Sequence, residues 1–182
     1  MITEGRLFKT SSLMLTEYDI CPATLDDVPG IIELQEPNLV ERGGGLSVRQ
    51  NADWFGRAIR DNSVVVARKN GKVVGYALGT SLAAKAHIPI VQAMLRAFPP
   101  PPECYLYGPV CVAESERGKG IAALLCNELQ TNMNGRPAMT FIRADNSISL
   151  HAHRKMRMNE LGSFTADGID YIAFSYGGSK SA

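Results

Sequence analysis

Between Pro109 and Gln130 the chain changes character three times within one short span, PVCVAESERGKGIAALLCNELQ. An apolar, β-prone run ends at Val112, a polar turn follows, Arg117-Gly118-Lys119-Gly120 makes a glycine-rich bend, and a helix-period segment opens at Ile121. The order is strand, phosphate-sized loop, helix start. Backbone N–H groups at the start of a helix point outward with no partner in the preceding turn, and a glycine bend lets an anion approach them closely. The stretch therefore reads as the cradle of a phosphate-bearing cofactor.

A chain of 182 residues is long enough for one domain that buries roughly two-thirds of the surface its unfolded form exposes. The four cysteines, Cys21, Cys104, Cys111 and Cys126, lack paired spacing, and three lie in apolar segments. That pattern reads as buried thiols in a reducing compartment, with no disulfide framework and no metal site. With 19 Lys plus Arg against 18 Asp plus Glu and no basic block, nucleic acid is not an expected partner. No apolar run approaches the roughly 20 residues of a membrane span, and MITEGRLFKTSSLML is too polar and acidic for a signal peptide. The expectation is a soluble, cytoplasmic protein with no membrane contact.

Residues 1–16 read as a loose arm or an added edge strand, and residues 17–23 as a first strand. Thr24 or Asp26 caps a helix that runs to about Gln35, with Pro29 tolerated in its first turn. Gly43-Gly44-Gly45 marks a mobile loop, and Val48 to Arg60 carries Trp54, Phe55 and Ile59 on one helical face. Asn70-Gly71 between two β-branched runs predicts a hairpin, strands two and three. Ser81 to Glu103 is an insertion with helical spacing over Ile88 to Phe98; it covers a site, meets another subunit in a homodimer, or simply packs. Cys104 to Val112 is the fourth strand, Ile121 to about Asn134 a helix, Pro137 to Ala144 the fifth strand, Ser147 to Met158 a helix, and 161–176 a closing hairpin.

The glycine bend lacks the spacing of a nucleotide P-loop and of a dinucleotide fold. Arg117 to Ala122 fills instead the pattern [RQ]-x-x-G-x-[GA], and here the chain resembles the GNAT superfamily of N-acetyltransferases, whose signature for acetyl-coenzyme A this is. A second match follows. The family commonly carries an Asn after the fifth strand and an aromatic residue seven positions on, in a helix that ends in Gly-Phe; Asn146 and His153 hold those two positions, and Arg157-Met158 stands where Gly-Phe is usual.

The resemblance implies a single α/β (α+β) domain over the whole chain, with a mixed, largely antiparallel sheet of six to seven strands that splays between strands four and five, flanked by about four helices. It implies that the main chain of Val110, Cys111 and Val112 pairs with the pantetheine arm. It also implies that Arg117, Gly118, Lys119, Gly120, Ile121, Ala122 and Ala123 hold the pyrophosphate, with Asn146 and His153 beside the cofactor. The reaction is attack of an amine, from a small molecule or a peptide, on the acetyl thioester of acetyl-coenzyme A, with no metal. Its helix Tyr returns a proton to the leaving thiolate, and His153 takes that place; a neutral imidazole donates an N–H even though its pKa of about 6.5 lies below the thiolate's, near 8.5. No base stands out, because Phe141 occupies the position of the strand-five acid found in some members. Glu103, Tyr105, Tyr107 and Asp145 are candidates, as is a water chain. The departures at His153, Phe141 and Arg157-Met158 leave a second reading: a non-catalytic acyl-coenzyme A-binding sensor or partner module of the same fold.

Overall fold

The computed structural model describes residues 17–177; the N-terminal arm or edge strand read over 1–16 lies outside them. Seven strands form one sheet: β1 (Asp19–Pro22), β2 (Val64–Lys69), β3 (Lys72–Ser81), β4 (Tyr105–Val112), β5 (Ala138–Arg143), β6 (Asn159–Ala166) and β7 (Ile169–Tyr176), in the order β1-β2-β3-β4-β5-β7-β6. Among the described residues six α-helices accompany them: α1 (Val28–Gln35), α2 (Ala52–Arg60), α3 (Leu82–Lys85), α4 (Pro89–Ala97), α5 (Ile121–Asn132) and α6 (Ser147–Lys155). β1 pairs with β2, β5 with β7 and β6 with β7, all antiparallel. β4 and β5 run parallel and share register only at Tyr105 with Ala138 and Leu106 with Met139, then part as expected. Residues Asn70 and Gly71 close the β2–β3 hairpin with positive φ of 51° and 76°, the geometry that turn chemistry demands.

The chain divides into two compact units. The first comprises the described residues up to Tyr76 together with Val110–Glu128. Its core holds Ile31 and Leu34 of α1, Phe55 of α2, the continuous apolar run Val64, Val65, Val66 and Ala67 of β2, and Ile121 and Leu125 of α5. A strand apolar on both faces belongs inside a sheet covered on both sides. The first helical turn is anchored by charge: the Asp27 carboxylate accepts from the main-chain N and Oγ1 of Thr24 and from both sides of the Arg68 guanidinium at 2.7 Å. Burial opposes ionisation of Asp27, but the hydrogen bonds from Arg68 and Thr24 outweigh it and hold the carboxyl below its ordinary value. The triple-glycine segment, read as a mobile loop, is tied back, because Val40 N donates to Leu46 O and Leu46 N to Asn38 O.

The second unit comprises Ala77–Pro109 and the described residues from Leu129 onward. Here the insertion between β3 and β4 packs: Val91 and Met94 of α4 enter a core with Leu106, Met139, Phe164 and Ala173. Phe98 closes its edge against Phe164, ring centres 6.5 Å apart. At the end of α6, Arg157 takes the left-handed conformation with φ of 59°, and Met158 turns into the interior.

Candidate active site

In the first unit, the residues predicted to hold the cofactor form one continuous piece of structure. β4 ends at Val112, a 3₁₀ turn spans Glu114–Glu116, and α5 starts at Ile121. Gly118 and Gly120 have φ of 77° and 84°, and a Cβ placed on Gly118 would meet no atom within 4 Å. The carbonyl of Gly120 accepts from Ala123 and Leu124, so the N–H groups of Ile121 and Ala122 precede the first bonds of the helix. The loop therefore offers open space in front of outward main-chain donors. Those residues fit a diphosphate, whose oxygens need donors and room.

The side chains around the loop brace it. Arg117 turns back, its Nε donating to Val112 O at 3.3 Å and its Nη2 to Asn38 Oδ1 at 2.6 Å. Asn38 in turn donates to Leu34 O at 2.8 Å. Glu116 is buried and accepts from the Tyr18 hydroxyl, from Lys119 Nζ at 2.9 Å and from Lys69 Nζ at 3.3 Å. Those partners, the Tyr18 hydroxyl first and then Lys119, push the Glu116 carboxyl down to about 2. Lys119 is therefore tethered to a fixed anion. Cys111 is buried, and burial pushes its thiol up to about 12, so its sulfur stays protonated and inert.

In the second unit, His153 on α6 is buried with 8% of its surface exposed. Its Nδ1 lies 2.8 Å from the carbonyl of Ser149, one turn earlier. A carbonyl only accepts, so Nδ1 carries the proton and Nε2 of the neutral ring is the free lone pair. Burial lowers the imidazole pKa, and the Ser149 hydrogen bond offsets this only in part. The buried Tyr107 ring meets His153 edge-on with ring centres 6.1 Å apart, and Phe174 lies at 5.9 Å on another side.

The other predicted residues do not join this pair. Tyr105 donates its hydroxyl to Gln130 at 3.2 Å. Asp145 is exposed and paired with Arg143, which holds its carboxyl below the ordinary range. Glu103 sits on the surface in a left-handed backbone position, its carbonyl accepting from Arg136. Asn146 acts locally as the N-cap of α6, its Oδ1 accepting from Ser149 N at 3.0 Å. Four residues that sequence reasoning missed prove structural partners of the site: Ser149, Asn38, Glu116 and Tyr18. Ser149 was readable, since i and i+4 share a helix face; nothing in the sequence ties Tyr18 to Glu116. Among the described residues, no three His, Cys, Asp or Glu side chains gather as a metal site, and no helix is long and apolar enough to cross a membrane.

Comparison with known proteins agrees with this geometry. The acetyltransferase (GNAT) family model matches residues 28–157. The sequence has no significant match among curated proteins. Among solved structures, an N-acetyltransferase from Staphylococcus aureus Mu50 superposes with a TM-score of 0.65 at 22% identity, covering 88% of this chain and 98% of that one. The yncA protein of Salmonella typhimurium, a putative acetyltransferase solved with acetyl-CoA, gives 0.66 at 16% identity over 91% and 96%. A ribosomal-protein-alanine N-acetyltransferase from Brucella melitensis gives 0.63 at 23% identity over 87% and 99%. These likenesses establish the fold. Because the family model covers most of the chain, including the glycine bend and the helix of His153, the protein belongs to the GNAT family of acetyltransferases.

Proposed function

We propose that the protein transfers the acetyl group of acetyl-CoA to a primary amine, of a small molecule or a peptide, by direct attack while both substrates are bound. The observation that carries this is the cradle: two glycines at positive φ ahead of the first turn of α5, with open space at Gly118. The main-chain amides of Gly118 to Ala122 hold the pyrophosphate, the Ala123 amide being already bonded to Gly120 O, and Val110 and Cys111 offer main-chain groups to the pantetheine arm. Val112 O already holds Arg117, so its part is to position the loop. Bound acetyl-CoA supplies an electrophilic thioester and a thiolate leaving group.

His153 is the residue that exchanges a proton with the leaving sulfur. Because its Nδ1–H is engaged by Ser149, the neutral ring meets its surroundings through an acceptor, Nε2. Nε2 takes one proton from the substrate ammonium, the neutral amine so formed attacks the thioester carbonyl, and as the C–S bond breaks the imidazolium returns that proton to the departing sulfur, while the second proton leaves the new amide nitrogen for solvent. The transfer to a thiolate with a pKa near 8.5 runs downhill from an imidazolium whose pKa is below about 6.5. Tyr107, packed on His153, and a water chain to solvent are kept as base candidates beside it; the Tyr105 hydroxyl and the Asp145 carboxylate have partners of their own, and Glu103 is exposed. The name of the Brucella neighbour supports keeping a peptide α-amine among the acceptors. Four free cysteines fit a reducing, cytoplasmic location.

Two measurements test this. Acetyl-CoA at about 100 times its dissociation constant should stabilise the fold by about 2.7 kcal/mol, and free thiol should appear when amines are added. Stabilisation with no thiol release from any amine would favour the sensor reading. Absence of stabilisation would remove both.

A further inference from the structure

Both cations of the glycine bend have partners within the protein. Arg117 is tied to Val112 O and Asn38 Oδ1, while Lys119 Nζ donates to Glu116 Oε2 at 2.9 Å. The two ties differ in kind. Arg117 rests on neutral oxygens, whereas Lys119 is held by a carboxylate three residues earlier in the same loop.

Glu116 does not depend on Lys119 alone. Its side chain, 11% exposed, accepts from the Tyr18 hydroxyl, and Lys69 Nζ lies 3.3 and 3.4 Å from its two oxygens. Lys69 is itself fixed, by Glu17 at 2.5 Å and by the Tyr18 ring, whose centre lies 5.3 Å away. A carboxylate taken out of water is costly unless it is paired, and Tyr18 and Lys69 already pair this one. Lys119 is the most exposed of its partners, with 42% of the side chain open to solvent. It stands between Gly118 and Gly120, both at positive φ, and its flexible four-carbon stem lets the ammonium serve either Glu116 or an anion in the cradle.

A diphosphate in the cradle therefore meets a carboxylate that keeps hold of the loop's lysine. Acetyl-CoA and the product CoA carry the same diphosphate. Grip on it is uniform binding, which slows the departure of CoA and does nothing to lower the chemical barrier.

We propose that Glu116 is a positioning residue of the cradle that competes with the cofactor's diphosphate for Lys119, and so loosens acetyl-CoA and CoA alike. The assignment rests on the acetyltransferase reading above and adds to it what sets the cofactor's affinity.

Calorimetric titration of acetyl-CoA and of CoA into the wild type, Glu116→Gln, Lys119→Met and the double variant tests this, with circular dichroism confirming that each is folded. Glu116→Gln should tighten both ligands by about 3- to 10-fold, the low end for a charge-assisted contact at a half-exposed lysine. A residue that only supports the fold would weaken them when replaced. Lys119→Met should weaken both by about 2- to 5-fold, and this variant carries the test without disturbing the buried carboxylate. In the double variant the gain should vanish, leaving affinities within about twofold of Lys119→Met alone. Unchanged or weaker binding by folded Glu116→Gln, a gain that persists without Lys119, or unchanged binding by Lys119→Met would each overturn the proposal. If the wild type binds acetyl-CoA and any of those results is obtained, the role of Glu116 alone is wrong. If the wild type binds no acetyl-CoA, the acetyltransferase reading itself fails.

Discussion

His153→Gln isolates the proton equilibrium on which the proposed chemistry depends. Glutamine keeps an N–H for the Ser149 carbonyl and fills part of the ring's volume, but it does not titrate. In the native protein the imidazole is buried and its pKa lies below the ordinary value, chiefly through burial. The unfolded chain therefore holds a proton on His153 that the folded chain lacks, over the pH range between the folded pKa and about 6.5. Across that range stability falls as pH falls, by up to about 1.4 kcal/mol per pH unit for one proton; above about 6.5 the contribution is complete and level. The variant also loses the ring contacts with Tyr107 and Phe174, a pH-independent loss of about 1 to 2 kcal/mol. Urea unfolding of both proteins from pH 5 to 8 reads the difference directly. The wild-type advantage should be constant above about pH 6.5 and shrink below it. Parallel curves throughout, or an advantage that grows toward acid pH, would show that His153 is not a desolvated neutral imidazole.

Three further substitutions probe the frame. Arg157→Gly should stabilise the protein by about 1 kcal/mol in the same urea assay, because a glycine occupies the left-handed position at φ of 59° without the Cβ conflict. Gly44→Ala should destabilise by about 1 to 3 kcal/mol and weaken acetyl-CoA binding, since its Cβ would fall 2.0 Å from Asn38 O and Asn38 holds Arg117; calorimetry checks the second effect. Glu116→Gln should flatten the loss of stability seen in acid. The folded carboxyl titrates at about 2 against an ordinary value near 4.5, so its contribution is present above about pH 4.5 and lost as pH falls toward 2; circular dichroism across that range follows it.

Local chemistry made much of this molecule readable. Asn70-Gly71 fixed a turn because only residues tolerant of positive φ close it, and the closing hairpin read over 161–176 is formed by β6 and β7. The glycine bend was readable for the same reason: its conformation and its space are properties of a few adjacent residues. Partners brought together by the fold were not. Tyr18 reaches Glu116 across 98 positions, and no periodicity encodes that meeting. The donor and acceptor ends of His153 reversed the reading of its neutral ring, because the tautomer is set by where Ser149 O lies rather than by residue type. The insertion after β3 was open between covering, docking and packing; the core of Val91 and Met94 shows the packing.

The central claim is that the loop from Gly118 to Ala123 is the cradle for acetyl-CoA. Titration of acetyl-CoA into the wild type and into Gly120→Glu by isothermal calorimetry tests it most directly, with circular dichroism confirming that each is folded. The glutamate puts bulk and negative charge where the pyrophosphate is held, and at φ of 84° its strain is about 1 to 2 kcal/mol, well short of a typical domain's stability. One molecule of acetyl-CoA should bind each wild-type chain, and the folded variant should bind none. A wild type that gives no binding, or a variant that binds as tightly as the wild type, would contradict the assignment.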